Sequence, residues 1–332
     1  MTWCAVIGAG AWGTALGDVL GRNMHDVALW ALEADVVSSI NASHENTRFL
    51  AGFPLVPSLR ATSSLGDAVE GASLVCIATP SQHTRGVLRT LGPLLPSGCI
   101  ICVASKGIER DTLHLMTDVI AEEAPNHFVV ALSGPSFAAE VVGGQPTAIV
   151  AASDDVGAAQ AVQEAFSNSH LRVYTHDDVI GVELGGALKN VMAVAAGIAE
   201  GVGLGFNSRA ALITRGLAEM TRLGTALGAQ PATFAGLAGI GDLVLTCTGS
   251  LSRNRALGVE VGQGATLEQA LAGKETVAEG VATTRSAMAL ATREAVEMPI
   301  VSMVHRILFD RYPAAEALAE LMARGLRPEQ DA

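Results

Sequence analysis

The sequence predicts an α/β protein, a doubly wound sheet followed by an all-helical half, and three observations carry that prediction. Short apolar runs rich in Val and Ile alternate with helix-period segments through residues 1–178, the pattern of a parallel sheet wrapped by helices. From Val179 the strand signal stops, and Ala, Leu, Gly and Met recur at helical spacing. Between the first apolar run and the first helical segment stands Gly8-Ala9-Gly10-Ala11-Trp12-Gly13, a glycine spacing that gains meaning from that strand-to-helix context.

Strands are expected at 3–7, 27–30, 74–78, 100–104, 128–132, 148–152 and 172–174. The helical half, 179–332, is broken near 201–207, 228–231, 236–241 and 262–264 by Gly and Pro. A chain of 332 residues exceeds the usual single domain, so two domains, 1–178 and 179–332, sharing a cleft are expected. Hydrophobic residues make up 49% and charged residues 16%, which supplies a large core and excludes a disordered chain.

The net charge of −12 excludes general affinity for nucleic acid. An anionic substrate must therefore be drawn by a local basic pocket. The uncharged start has no basic residues of the signal-peptide kind. The longest uncharged stretch, 223–241, contains Gln230, Pro231 and several glycines, so no membrane span is expected there. Cysteines 4, 76, 99, 102 and 247 lie mostly in apolar runs and read as reduced thiols of a cytoplasmic protein. Cys99 and Cys102 form a lone CxxC whose odd spacing in a strand points them to opposite faces, so no metal site is expected.

In the glycine run, Gly8 makes the tight turn and Gly10 lets a pyrophosphate approach the backbone. Gly13 permits close helix packing, and the helix N-terminus attracts the negative charge. This is the fingerprint of a Rossmann-like dinucleotide site. Glu33 lies twenty residues after Gly13, just past the second strand, where an acid accepts from the ribose 2′-hydroxyl and repels a 2′-phosphate. The cofactor expected is NAD or NADP, with NAD preferred. Arg48 is near enough in sequence to return to the adenosine end, and the alternative for Glu33 is a solvated acid at a helix start.

Only three residues are lysine, Lys106, Lys189 and Lys274. An ammonium can surrender its proton when desolvated and a guanidinium cannot, so proton transfer selects lysine. Lys106 follows a strand at the sheet edge where ligands bind; its alternative is an exposed loop charge. Lys189 stands in Gly185-Gly186-Ala187-Leu188-Lys189-Asn190, inside an otherwise apolar helix, and a charge there needs a reason unless it snorkels to the surface. Lys274 reads as an ordinary surface pair.

The run Thr246-Cys247-Thr248-Gly249-Ser250-Leu251-Ser252-Arg253-Asn254-Arg255 gathers hydroxyls, an amide and arginines suited to phosphate oxygens; its bland alternative is a helix cap at Ser252. Asp242 follows Gly239-Ile240-Gly241, available to orient a lysine or a substrate hydroxyl. Ser133-Gly134-Pro135-Ser136-Phe137-Ala138 closes a strand and opens a helix, so its amides either receive a ligand oxygen or are capped.

Together with Ser105-Lys106-Gly107, Leu212-Ile213-Thr214-Arg215-Gly216, Gly241-Asp242-Leu243 and Glu279-Gly280, these segments resemble the bacterial NAD(P)-dependent glycerol-3-phosphate dehydrogenase family over nearly the whole chain. The resemblance implies that Lys189 is the proton acceptor in alcohol oxidation, with Lys106, Gly134, Ser136, Asp242, Ser252, Arg253 and Asn254 completing the substrate site. It implies cofactor contacts at Ala11, Trp12, Arg48, Lys106, Ala138, Arg253, Val277 and Glu279. It also implies a role in supplying glycerol 3-phosphate for phospholipids. Members often carry a basic or imidazole group where this chain has Leu32-Glu33, and Ser where it has Ala11; those departures put NADP use in doubt. The rivals are a 3-hydroxyacid or 6-phosphogluconate type of dehydrogenase and a dinucleotide sensor without turnover. A homodimer is allowed for, with no residue pattern behind it.

Overall fold

Runs of four to six residues buried on both faces belong inside a parallel sheet, and that is where the apolar runs go. The computed structural model describes residues 2–274, 278–326 and 328–329. Its strands are β1 (Trp3–Ile7), β2 (Asp26–Trp30), β3 (Leu59–Thr62), β4 (Leu74–Ile77), β5 (Ile100–Val103), β6 (Phe128–Ser133), β7 (Thr147–Ala152) and β8 (Leu171–His176). They form one sheet in the order β3-β2-β1-β4-β5-β6-β7-β8. The winding reverses between β1 and β4, and that switch point is where doubly wound sheets bind ligands.

Two features correct the sequence reading. The edge strand β3 was not expected: its four residues, Leu59-Arg60-Ala61-Thr62, include an exposed arginine, and only Leu59 and Ala61 are buried. The sheet is also not wholly parallel. β7 runs antiparallel to β6, and β8 pairs parallel to β7. The connection from β6 to β7, residues 134–146, carries a helix of only five residues, Ala138–Val142.

The chain divides into two compact units, residues 1–106 with 114–179, and residues 107–113 with 180–332. The short segment 107–113 therefore joins the helical unit, where Ser286 Oγ donates to the Ile108 carbonyl at 3.1 Å. The helices used below are α1 (Ala11–Arg22), α2 (Ala34–Ser43), α3 (Ala138–Val142), α4 (Val179–Gly201), α5 (Phe206–Ala226), α6 (Asp242–Thr248), α7 (Arg253–Gly262), α8 (Glu279–Arg293) and α9 (Pro299–Phe309). By length and composition α4 could cross a membrane, but its most apolar window is 83% buried inside the protein, as befits a core helix.

α4 and α7 meet through glycines. A Cβ on Gly197 would lie 2.0 Å from the Arg255 carbonyl oxygen, and one on Gly258 2.2 Å from that of Val194. Gly201 and Gly262 face the partner backbone in the same way. No side chain separates the two helices at this seam.

Glu219 on α5 is 2% exposed and accepts the backbone N–H groups of Ile300 at 2.7 Å and Val301 at 3.2 Å. These are first-turn amides of α9, which have no partner within their own helix. Burial pushes the Glu219 carboxyl up from 4.5 to about 7, outweighing the two amide bonds. Between those values the folded protein holds a proton that the unfolded chain releases, so stability falls as pH rises through that window, by about 3 kcal/mol in all. Glu219→Gln keeps an acceptor for Ile300. It should melt at a temperature that falls less than wild type's between about pH 5 and about pH 8; two parallel profiles would refute the assignment.

Candidate active site

The turn after β1 is shaped by its glycines. Gly8 has φ +114°, and a Cβ there would lie 2.8 Å from the Ala78 carbonyl oxygen at the end of β4. A Cβ on Gly13 would fall 1.9 Å from the Gly8 carbonyl oxygen, so only glycine lets α1 start so close to β1. Gly10 has nothing within 4 Å of its Cβ position, which leaves one side of the turn open. It is the N-cap of α1 and supplies no side-chain cap, so the first amides of the helix face outward with the positive end of its dipole. Trp12, in the first turn with Ala11, has a buried indole Nε1 without a hydrogen bond. An open glycine edge, uncapped amides and an unsatisfied donor fit a dinucleotide pyrophosphate.

β2 ends beside this turn, with the Gly8 amide donating to the Trp30 carbonyl at 3.0 Å. Leu32 follows, 76% exposed, and Glu33 sits at the N-cap of α2 without capping it. Its carboxylate therefore stands at the strand end without serving as a cap. Arg48 Nη1 lies 3.2 Å from Asp35 Oδ1.

Further along the sheet edge, Lys106 follows β5 and donates from Nζ to the Gly134 carbonyl at 2.9 Å. Ser136 Oγ donates to the same oxygen at 3.0 Å. Gly134 has φ +134°, and a Cβ would meet Ile149 Cα at 2.9 Å, so no other residue fits. Lys106, Gly134 and Ser136 are thus brought together, with Ala138 opening α3 two residues on.

In the helical unit Lys189 does not snorkel. It is 8% exposed and donates to Asp242 Oδ1 at 2.6 Å and Thr246 Oγ1 at 3.0 Å. Thr246 in turn donates to the Asp242 carbonyl at 2.6 Å, which leaves its lone pair to the lysine. The amine is thus held between a buried carboxylate and a hydroxyl, with its direction fixed by both. The contact depends on Gly185, where a Cβ would lie 2.3 Å from the Ala238 carbonyl oxygen. Gly185 lets α4 touch the π-helical turn Leu237–Gly241 that leads into α6, and such turns recur at functional sites.

Asn254 is buried and bonded at both ends of its amide. Its Nδ2 donates to Asn190 Oδ1 at 2.9 Å, and its Oδ1 accepts the Gly280 amide at 2.9 Å, tying α4, α7 and α8 together. Ser252 Oγ caps α7 by accepting the Arg255 amide at 3.2 Å. Arg253 and Glu279 lie at the starts of α7 and α8. Desolvation lowers the Arg253 guanidinium from its ordinary value and the Glu279 carboxylate opposes that; the group stays charged. Val277 lies outside the described residues. The sequence reading missed Thr246 as a partner of Lys189, although its position four residues after Asp242 puts both on one helix face.

The strand order, the glycine turn at the switch point and a buried lysine held by a carboxylate define a dinucleotide-binding oxidoreductase. The chain belongs to the NAD-dependent glycerol-3-phosphate dehydrogenase family, whose N-terminal model matches residues 4–159 and whose C-terminal model matches residues 178–319. It is 55% identical over 328 residues to glycerol-3-phosphate dehydrogenase [NAD(P)+] of Geobacter sulfurreducens, with 98% of each chain covered. The same enzyme of Geobacter sp. strain M21 is 53% identical over 98% of each chain. Among solved structures, glycerol-3-phosphate dehydrogenase from Coxiella burnetii superposes with a TM-score of 0.94 at 40% identity, covering 97% of this chain and 99% of that one.

Proposed function

We propose that this chain interconverts sn-glycerol 3-phosphate and dihydroxyacetone phosphate with NAD(P), and that it supplies glycerol 3-phosphate for phospholipid synthesis. The observation that carries the catalytic part is the buried Lys189, fixed by Asp242 and Thr246. Oxidation removes a hydride from carbon 2 and a proton from its hydroxyl; bound nicotinamide supplies the hydride acceptor. Lys189, in its neutral form, takes the proton and returns it in the reverse direction. Asp242 holds the lysine's direction and stabilises the ammonium that forms.

Lys106, Gly134, Ser136, Asp242, Ser252 and Asn254 complete the substrate contacts in this reading, and Asn254 also ties the start of α7 to α4 and α8. The cofactor is held at Gly8, Gly10, Ala11, Trp12, Gly13 and Ala138, with Glu33 on the ribose 2′-hydroxyl giving a preference for NAD. Arg48, Lys106, Arg253, Val277 and Glu279 complete its contacts. Cytoplasmic residence belongs to the same proposal, supported by five buried cysteines that are all unpaired.

The test is to follow NADH and NADPH absorbance separately on adding dihydroxyacetone phosphate to the purified protein. Saturable oxidation is expected, faster per molar cofactor with NADH. Cofactor binding without oxidation, or turnover of 3-hydroxyacids instead, would overturn the reading. A charge-assisted phosphate contact at Arg253 further predicts that Arg253→Ala raises the KM for dihydroxyacetone phosphate about tenfold to a hundredfold. An unchanged KM would move the phosphate to another cation.

A further inference from the structure

We propose that Asp35 is a positioning residue for cofactor choice: it holds Arg48 in an ion pair and so keeps that guanidinium from a 2′-phosphate. The inference rests on the reading of Glu33 as the ribose ligand and extends it to a residue that has no part in that reading.

The loop carrying Arg48 is fixed to the nucleotide turn. Asn46, fully buried, donates from Nδ2 to the Ala9 carbonyl and to Thr14 Oγ1, both at 2.8 Å. Its Oδ1 accepts the Phe49 amide at 3.0 Å. Residues 46–49 are thereby anchored on the Gly8–Gly13 turn, and Arg48 projects from this anchored loop. The partner side is equally fixed, because Glu33 and Asp35 lie at the N-cap and in the first turn of α2. Arg48 Nη1 reaches both Asp35 oxygens, at 3.2 and 3.3 Å.

Between Arg22 and Arg60 the chain has no lysine or arginine except Arg48. A 2′-phosphate arriving here meets two carboxylates, Glu33 and Asp35, and one guanidinium already engaged by one of them. A ribose hydroxyl brings no charge and loses nothing. The pair itself is exposed, with side chains 33% and 64% accessible, and such pairs are weak. One substitution therefore suffices to release the arginine, whose planar fork suits a phosphate.

The experiment measures dissociation constants for NADH and NADPH by calorimetry, with no second substrate, in four proteins: wild type, Glu33→Gln, Glu33→Gln with Asp35→Asn, and that pair with Arg48→Met. Adding Asp35→Asn to Glu33→Gln should tighten NADPH about tenfold relative to NADH, and Arg48→Met should abolish that relative gain, whatever it does to both cofactors alike. No gain, or a gain that survives Arg48→Met, overturns the proposal, the second outcome showing that only the lost negative charge mattered. The Glu33 reading is judged separately by the wild-type ratio: tighter binding of NADPH than of NADH overturns it, while the Arg48-dependent step still decides the role of Asp35.

Discussion

Lys189→Gln is expected to lower turnover with dihydroxyacetone phosphate about a thousandfold, the middle of the range for losing a general acid or base, while NADH binds as before. The choice of glutamine matters. Asp242 is fully buried, and removing the lysine outright leaves a carboxylate without its cation, which costs about 3–5 kcal/mol. A glutamine amide can still donate toward Asp242 and Thr246, so loss of activity is separated from loss of fold. Lys189→Ala should lose turnover to a similar degree and melt lower than Lys189→Gln. Because a proton acceptor acts on the chemical step, kcat should carry most of the loss. Rates near wild type in a folded Lys189→Gln protein would remove Lys189 from the mechanism and leave Lys106 as the lysine to test.

What the sequence makes legible follows from how local each feature is. The glycine turn, Lys106 beside a strand end and Lys189 inside an apolar helix are visible because each departs from its own neighbours. The Lys189–Asp242 contact spans 53 residues, and nothing in the spacing fixes it; the sequence offers Asp242 only as a carboxylate available to some lysine. β3 escapes because an edge strand needs just one buried face, and two apolar positions around an arginine give too short an alternation. The antiparallel β7 escapes because a period of two carries no direction along the chain. Asn254 reads from sequence as a polar group for a ligand, and its bonds to Asn190 and to the Gly280 amide join residues 64 and 26 positions away, which no local spacing reveals. Ser252 is the opposite case, since the helix-cap alternative weighed from its sequence is the contact the structure contains.

The glycine seam between α4 and α7 leads to the second large effect. Replacing helical glycine by alanine ordinarily stabilises by up to about 1 kcal/mol, since alanine loses less backbone entropy. At Gly258 the added methyl would sit 2.2 Å from the Val194 carbonyl oxygen and 2.9 Å from the Ile198 nitrogen. Both obstacles are backbone, so no rotamer change relieves them, and the helices must separate. Overpacking of this kind costs about 3 kcal/mol, which outweighs the propensity gain and should lower the melting temperature by about 3 °C. Gly86→Ala is the control. Gly86 lies on the exposed face of the helix Ser81–Leu91 with nothing within 4 Å of its Cβ position, so the same substitution there should hold or raise the melting temperature. Separation of the helices also pulls at the Asn190–Asn254 bond, which orients the start of α7 where Arg253 stands. Gly258→Ala should therefore weaken substrate binding in the protein that remains folded. Equal melting temperatures for the Gly258 and Gly86 variants would mean that the seam yields without cost, and the account of α7 as a rigidly held element would be wrong.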